Sequence, residues 1–255
     1  MQRWSICHPW KPAKMVLAAL LVLLLCPRQS QAWGRSGHRL VVNKAIDTLP
    51  PEIRWYFEAN RALLLQHVTD PLDEMIKVPA DRRNHFIALD KYGRFPFAAL
   101  PRVYKAAVTK FSKPKLDANG LLPWQIGVYS EKLTEAMKTG KWEEAKLYAA
   151  ILANYVAEAH DPFNTTDNFD GRLSGQPGIN ERFASALIDR YSSFFPMRPN
   201  DAIFIDDPTD RALTLASVLI AGWKPFSWPT ATRGTARIPS PTTITTAFTI
   251  KPPPS

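Results

Sequence analysis

Beyond residue 26 the chain has no cysteine: its two, Cys7 and Cys26, both lie near the start. Disulfide staples and thiolate metal sites are therefore excluded for everything that follows. Acidic residues are missing from both ends, from 1–32 and again from 211–255. Long hydrophobic runs are missing too. The one apolar stretch, Met15 to Cys26, is shorter than the roughly 20 residues a membrane-spanning helix needs. No segment alternates apolar and polar residues at the period of two that marks a half-buried strand, so the sequence predicts an all-α fold.

At the start, Arg3, Lys11 and Lys14 precede the apolar stretch and Ser30-Gln31-Ala32 follows it. Residues 1–32 read as a secretory signal peptide cleaved after Ala32, with an uncleaved anchor as the alternative, and the expected location is secreted or periplasmic. Leu25 stands before Cys26 where a lipoprotein site wants a small residue. Without this segment the formal charge falls from +9 to +5, with 28 Lys and Arg against 23 Asp and Glu. That mild excess is compatible with an anionic substrate and selects none. About 220 residues remain, enough for one domain with a sizeable core.

The strongest periodicity runs through Trp142, Ala145, Tyr148, Ala149, Leu152, Tyr155, Val156 and Ala159, at the three- and four-residue steps of a helix with one buried stripe. Asn154 and Glu158 lie on this helix, four residues apart and so on one face, which is how a helix offers two ligands to one ion. A carboxylate beside a packing stripe is costly unless it is paired, hydrogen-bonded or bound to metal. A cap, a salt bridge or a solvated edge would equally account for Glu158.

Around it the sequence predicts a helix opening near His38 and stopped by Pro50-Pro51, and another from Glu52 to about Gln66. His67 to Pro71 reads as a loop, Asp81 to Asn84 as a charged turn, and Tyr92 to Pro101 as an irregular connection. Helices are expected at Arg102–Phe111, Pro123–Lys138 and Lys141–His160, then a loop from Thr165 to Gly178 and a helical stripe from Asn180 to Tyr191. His38, Asp70 and His85 are each open to a structural hydrogen-bonding role or a ligand role, since no local spacing joins them. Residues 33–220 are expected as one helical domain. After residue 210 come nine Thr and seven Pro, which predicts a Thr/Pro-rich disordered tail over 221–255, preceded by at most a short helix at Ala212 to Ile220.

Taken in order, Trp33-Gly-x-x-Gly-His38, His67-Val-Thr-Asp70-Pro, Asn84-His85-Phe-Ile, Leu122-Pro-Trp124-Gln-Ile, Tyr155-Val-Ala-Glu-Ala-His-Asp-Pro-Phe-Asn-Thr-Thr166 and Asp170-Gly-x-Leu-Ser-Gly-Gln-x-Gly-Ile179 resemble the S1/P1 nuclease and zinc-dependent phospholipase C superfamily, in its secreted bacterial branch. The likeness covers about residues 33 to 195. It implies a multi-helix domain of the phospholipase C/P1 nuclease type that holds three zinc ions in a cleft and hydrolyses phosphodiesters. Carried over by position, it implies that Trp33 binds one ion through its free amino group and carbonyl, with His38 and a bridging Glu158. A second ion falls to Asp70, His85, Asn154 and the same Glu158. The third falls to Asn164, Asn180 and Ala184.

The departures are specific. Asparagine stands where three family histidines would be (Asn154, Asn164, Asn180), and Ala184 where a metal-binding carboxylate would be. Ala88 replaces an Asp that orients substrate or water. Asn offers only a neutral amide oxygen, whereas zinc takes imidazole, thiolate or carboxylate, so one or two zinc ions are expected, with Glu158 and Asp70 acting through a metal-activated water. Asp90 is retained nearby but points elsewhere in this matching, and His160 matches no ligand position.

Two functions follow from the resemblance: a weakly active phosphodiesterase acting on single-stranded nucleic acid or phospholipid, or a secreted pseudoenzyme that binds phosphate-containing ligands without cleaving them. A purely structural helical domain is a third reading, against which the retained Trp33, His38, Asp70 and His85 argue. Tyr92, Phe95 and Trp124 either stack bases or fill the core. No protein partner is implied, apart from self-association through an apolar face that a Thr/Pro-rich tail would leave uncovered.

Overall fold

The computed structural model describes residues 33–195 and 200–223, so the expected signal peptide and the tail beyond Trp223 lie outside the described residues. Among the described residues there is no strand, and the fold is all-helical. None of its helices is long and apolar enough to cross a membrane.

Helix α1 (Arg35–Thr48) closes at Leu49, because Pro50 cannot continue it, and Pro51 begins α2 (Pro51–Ala59) in the first-turn position that tolerates proline. The single helix expected from Glu52 to Gln66 is in fact two. Asn60 breaks it with φ −110° and ψ 12°, its side-chain amide donating to the Tyr56 carbonyl at 2.8 Å, and α3 (Arg61–His67) follows. A second difference comes at Asp70-Pro71, expected as a loop. These two residues open α4 (Asp70–Lys77), where proline costs nothing and the carboxylates of Asp70 and Asp73 suit the helix N-terminus.

After 3-10 turns at Pro79–Asn84 and Leu89–Tyr92 come α5 (Tyr104–Phe111) and an unforeseen α6 (Lys113–Asn119). Ser112, at φ 69°, separates them, and Pro114 starts the second. The two long helices expected at 123–138 and 141–160 are α7 (Leu122–Lys138) and α8 (Trp142–Ala159), and they pack against each other. Residues 165–178 are irregular apart from one short 3-10 turn. Beyond them a single π-helical stretch, Glu181–Ala186, runs into α9 (Leu187–Tyr191). Last is α10 (Pro208–Trp223), longer at both ends than the helix expected at 212–220 and crossing the anticipated domain boundary.

Helix α8 is the centre. It packs against α7 most extensively and also meets α1, α3, α4 and α10. Alanines at 145, 149, 150, 153, 157 and 159 are buried, which lets those neighbours approach closely. A helix covered on nearly every side normally carries apolar residues all round, and this one carries Asn154 and Glu158, at 0% and 1% exposure. The main core joins α8 to Val42, Ile46, Phe57, Leu64, Val68 and Leu133. A second cluster, around Ile87, Leu116, Trp124 and Tyr92, is closed by Leu213, Ala216 and Ile220 of α10. Helix α10 therefore covers apolar surface that the composition after residue 210 gave little reason to expect.

Candidate metal centre

Three elements bring polar groups to the C-terminal half of α8. The first is the segment ahead of α1. The Trp33 ring is buried against Ala157 and Ile188, and its Nε1 donates to the Ala157 carbonyl at 2.7 Å. Gly34 donates its backbone N–H to the Ala184 carbonyl at 3.1 Å. One helical turn later His38, fully buried, donates from Nδ1 to the Gly34 carbonyl at 3.3 Å and points Nε2 toward Glu158, 3.4 Å from Oε1.

The second element carries His85. Gly120, at φ +94°, lets the turn between α6 and α7 lie against this segment, where an added Cβ would fall 2.0 Å from the Phe86 carbonyl oxygen. Leu122 then donates to Phe86 O at 3.2 Å, Ala88 donates to Asn119 O at 2.8 Å, and Ile87 donates to Asn164 O at 2.8 Å. Pinned on both sides, the segment presents His85 with Nε2 against Asp81 Oδ2 at 3.2 Å and Nδ1 facing Glu158 Oε1 at 3.8 Å.

The third element is the turn after α8. Asp161 caps it, its Oδ1 accepting the Phe163 N–H at 2.8 Å. The cap delivers Asn164, whose amide donates to Glu158 Oε2 and, at 3.2 Å, to the Glu158 carbonyl. On α8 itself, Asn154 donates to the Val68 carbonyl at 2.8 Å.

Around the site, among the described residues, six buried polar atoms have no hydrogen-bond partner: His38 Nε2, His85 Nδ1, Glu158 Oε1, Asn154 Oδ1, Asp161 Oδ2 and Asn180 Oδ1. Buried polar groups are ordinarily satisfied, and each exception calls for an explanation. Burial opposes the charge on Glu158, yet His38 and His85 outweigh it and hold its pKa down to about 2. His85 is likewise opposed by burial and raised by Asp81 and Glu158 to about 9. Positive charge beside Glu158 is thus what the pocket favours, whether as a proton on His85 or as a cation. Asp161 behaves in the opposite way, because burial, helped by the Glu158 charge and opposed by the Phe163 N–H, pushes its carboxyl up to about 8.

The donor set fits zinc in part. Each histidine uses its far nitrogen on an oxygen, Gly34 O or Asp81, and keeps its near nitrogen free, the arrangement that fixes the tautomer of a metal-ligating imidazole. Two donors at ordinary zinc distances on a tetrahedron stand roughly 3.4 Å apart, close to the His38–Glu158 spacing. Yet among the described residues no three or more His, Cys, Asp or Glu side chains form a metal-holding group. Glu158 is shared pairwise, with His38 on one contact and His85 on the other, so any further donors from the protein must be amide oxygens or main-chain atoms.

Asp70 lies at the surface. In the first turn of α4 its side chain is 54% exposed and accepts from His67 Nδ1 at 2.7 Å. Among the described residues it makes no hydrogen bond or ion pair with Glu158. Asn180 is buried on the wall formed by the π-helical stretch, with Ala184 one turn later, and neither presents a charge. Ala88 is buried and occupied by main-chain bonding. Asp90 accepts from Thr166 Oγ1 and the Asp167 N–H. Sequence reasoning missed Asp81 and Asp161. The first was legible as Asp81-x-x-x-His85, and the second as the capping residue of Asp-Pro-Phe-Asn. Tyr92 and Trp124 are buried core residues, while Phe95 is exposed.

Comparison with family models, with curated proteins and with solved structures returned no match to this chain.

Proposed function

We propose that this protein is a zinc-dependent hydrolase of phosphodiester bonds, of the S1/P1 nuclease or phospholipase C type, with a reduced metal site and slow turnover. The observation that carries the reading is the convergence of His38 Nε2, His85 Nδ1 and Glu158 Oε1, buried and without hydrogen bonds, from three separate elements. The ordered motifs from Trp33 to Ile179 supply the chemical class. When bound, zinc would act as a Lewis acid and lower the pKa of a water molecule.

The chain's own residues have distinct tasks in this reading. His38 and His85 would be the imidazole ligands, oriented by Gly34 O and Asp81. Glu158 would lie between them as the shared carboxylate. Asn164 holds the other Glu158 oxygen, so the carboxylate stays fixed but has one oxygen fewer to offer. With Asp70 at the surface and Asn154, Asn180 and Ala184 uncharged, nothing among these positions supplies the charge for a full set of three ions.

That same deficit supports a second reading, a pseudoenzyme that retains a cation and binds phosphate groups without cleaving them. One experiment separates the two. Elemental analysis of the purified protein is followed by assay on bis(p-nitrophenyl) phosphate, single-stranded DNA and phosphatidylcholine, with Glu158→Gln as control. Chelator-sensitive hydrolysis lost in the variant supports the enzyme. Zinc without turnover supports the binding protein, and a correctly folded protein that takes up no zinc sinks both.

A further inference from the structure

Between Arg82 and Lys115 the chain has nine Lys and Arg and one acidic residue, Asp90, whereas the rest of the chain after residue 32 holds three more acidic than basic residues. The mild overall charge therefore conceals one strongly basic segment on an acidic body. Within it, the loop from Gly93 to Val103 exposes an apolar tip. Phe95 is 56% and Val103 67% exposed, and Pro96, Ala98 and Ala99 between them are also exposed.

The tip is held in place. Phe97 and Leu100 are buried in the second core cluster. Trp124 Nε1 donates to the Arg102 carbonyl at 2.8 Å, and the Tyr104 ring packs on Trp124 at 5.5 Å. Tyr92 packs on Phe111 at 5.1 Å, and Lys115 lies over that Phe111 ring. The exposure of Phe95 and Val103 is thus maintained by a packed base, and exposed apolar side chains rimmed by charge mark interaction sites. Lys91 and Arg102 make only exposed ion pairs, with Asp167 and Asp210, and such pairs are weak and exchangeable. Arg94 and Lys105 enter no salt bridge among the described residues.

We propose that this loop, with the basic faces of α5 and α6, docks the protein on an anionic lipid membrane, Phe95 and Val103 entering the headgroup region and Arg94 and Lys105 meeting lipid phosphates. An apolar wedge ringed by Lys and Arg is the chemistry of an interfacial lipid contact. Single-stranded nucleic acid would need several accessible rings for stacking, and here Tyr92, Phe97 and Trp124 are buried, leaving Phe95 alone. The inference does not rest on the proposed hydrolase activity.

The test is co-sedimentation of the full chain with vesicles of phosphatidylcholine, with and without phosphatidylglycerol. Binding is expected with the anionic vesicles and should weaken in salt. Each Lys or Arg close to an anionic surface contributes about fivefold, so Arg94→Glu with Lys105→Glu should weaken binding roughly 25-fold or more. Phe95→Ser with Val103→Ser should weaken it at least about tenfold, while Glu158→Gln should bind as the unaltered chain does, whatever its activity. Any contribution from residues 1–32 is common to all variants. A Phe95→Trp variant reports the tip directly, through added fluorescence that brominated lipids quench. Equal affinity for neutral and anionic vesicles overturns the proposal, as does unchanged binding after the Phe95 and Val103 substitutions. Tight single-stranded DNA binding through Arg94 and Lys105 alone would overturn it in favour of nucleic acid.

Discussion

Asn164 donates its side-chain amide to Glu158 Oε2, so one of the two carboxylate oxygens at the heart of the site is already committed to protein. Only Oε1 faces the histidines. A carboxylate that bridges two ions commonly offers one oxygen to each, and here Oε2 is shared with the Asn164 amide.

Asn164→Ala should therefore not lower zinc content. It should cost about 1–3 kcal/mol of stability, the usual penalty for stranding a buried polar group that has lost its partner. Urea denaturation and elemental analysis of the same preparation measure both quantities. A variant that keeps its stability would mean that Asn164 does not hold Glu158 in solution.

Zinc content should fall when either histidine is removed, His38→Ala or His85→Ala, because each supplies one of two imidazoles to a site with few other good ligands. Asp81→Asn should weaken zinc binding by about 10–100-fold without abolishing it, as expected for the group that orients a ligating histidine. Asp70→Ala and Asn180→Ala should leave the ion count unchanged. A titration in which Asp70→Ala strips the metal would return that carboxylate to the ligand set.

How far all this was legible depends on the element. The α7–α8 pair could be read because apolar residues recur along each helix for several turns, and Glu158 was singled out because a carboxylate beside such a stripe has to meet something. The break at Asn60, the start of α4 at Asp70-Pro71 and the division at Ser112 are set by one or two residues each, where local hydrogen bonding competes with the helix. The exposure of Asp70 was hidden for the same reason: whether Pro71 ends a loop or opens a helix is something on which periodicity is silent. The reach of α10 was hidden by composition, since Leu213, Ala216 and Ile220 are buried by distant partners, Trp124 and Leu116 among them.

Trp33 should matter through its ring as well as its place at the start of the domain. Its Nε1 bond to Ala157 O fixes the residue immediately before Glu158. Trp33→Phe keeps most of the packing and loses one hydrogen bond, so it should cost about 1 kcal/mol. Trp33→Ala should cost roughly 3–5 kcal/mol and loosen the α8 terminus. Zinc affinity measured alongside stability should fall more in the Ala variant than in the Phe variant. Equal losses would indicate that the ring does not position Glu158.

Asp161 gives the clearest dependence on pH. Burial raises its carboxyl to about 8 in the folded protein, from an ordinary value of 3.8. A group whose folded pKa is raised contributes its full stability below the unfolded value, and that contribution is lost as pH climbs through the folded one. Between about pH 4 and pH 8 its ionisation should therefore cost the protein progressively more stability as the pH rises. Asp161→Asn keeps an oxygen to accept the Phe163 N–H and removes the charge that burial penalises. In protein freed of metal by dialysis against chelator, the melting temperature of the variant relative to the unaltered chain should rise steadily from pH 5 to pH 8, and the two should converge below pH 4. Parallel curves across that range would show that the Asp161 carboxylate is ionised in the folded state, stabilised by a contact beyond the Phe163 N–H.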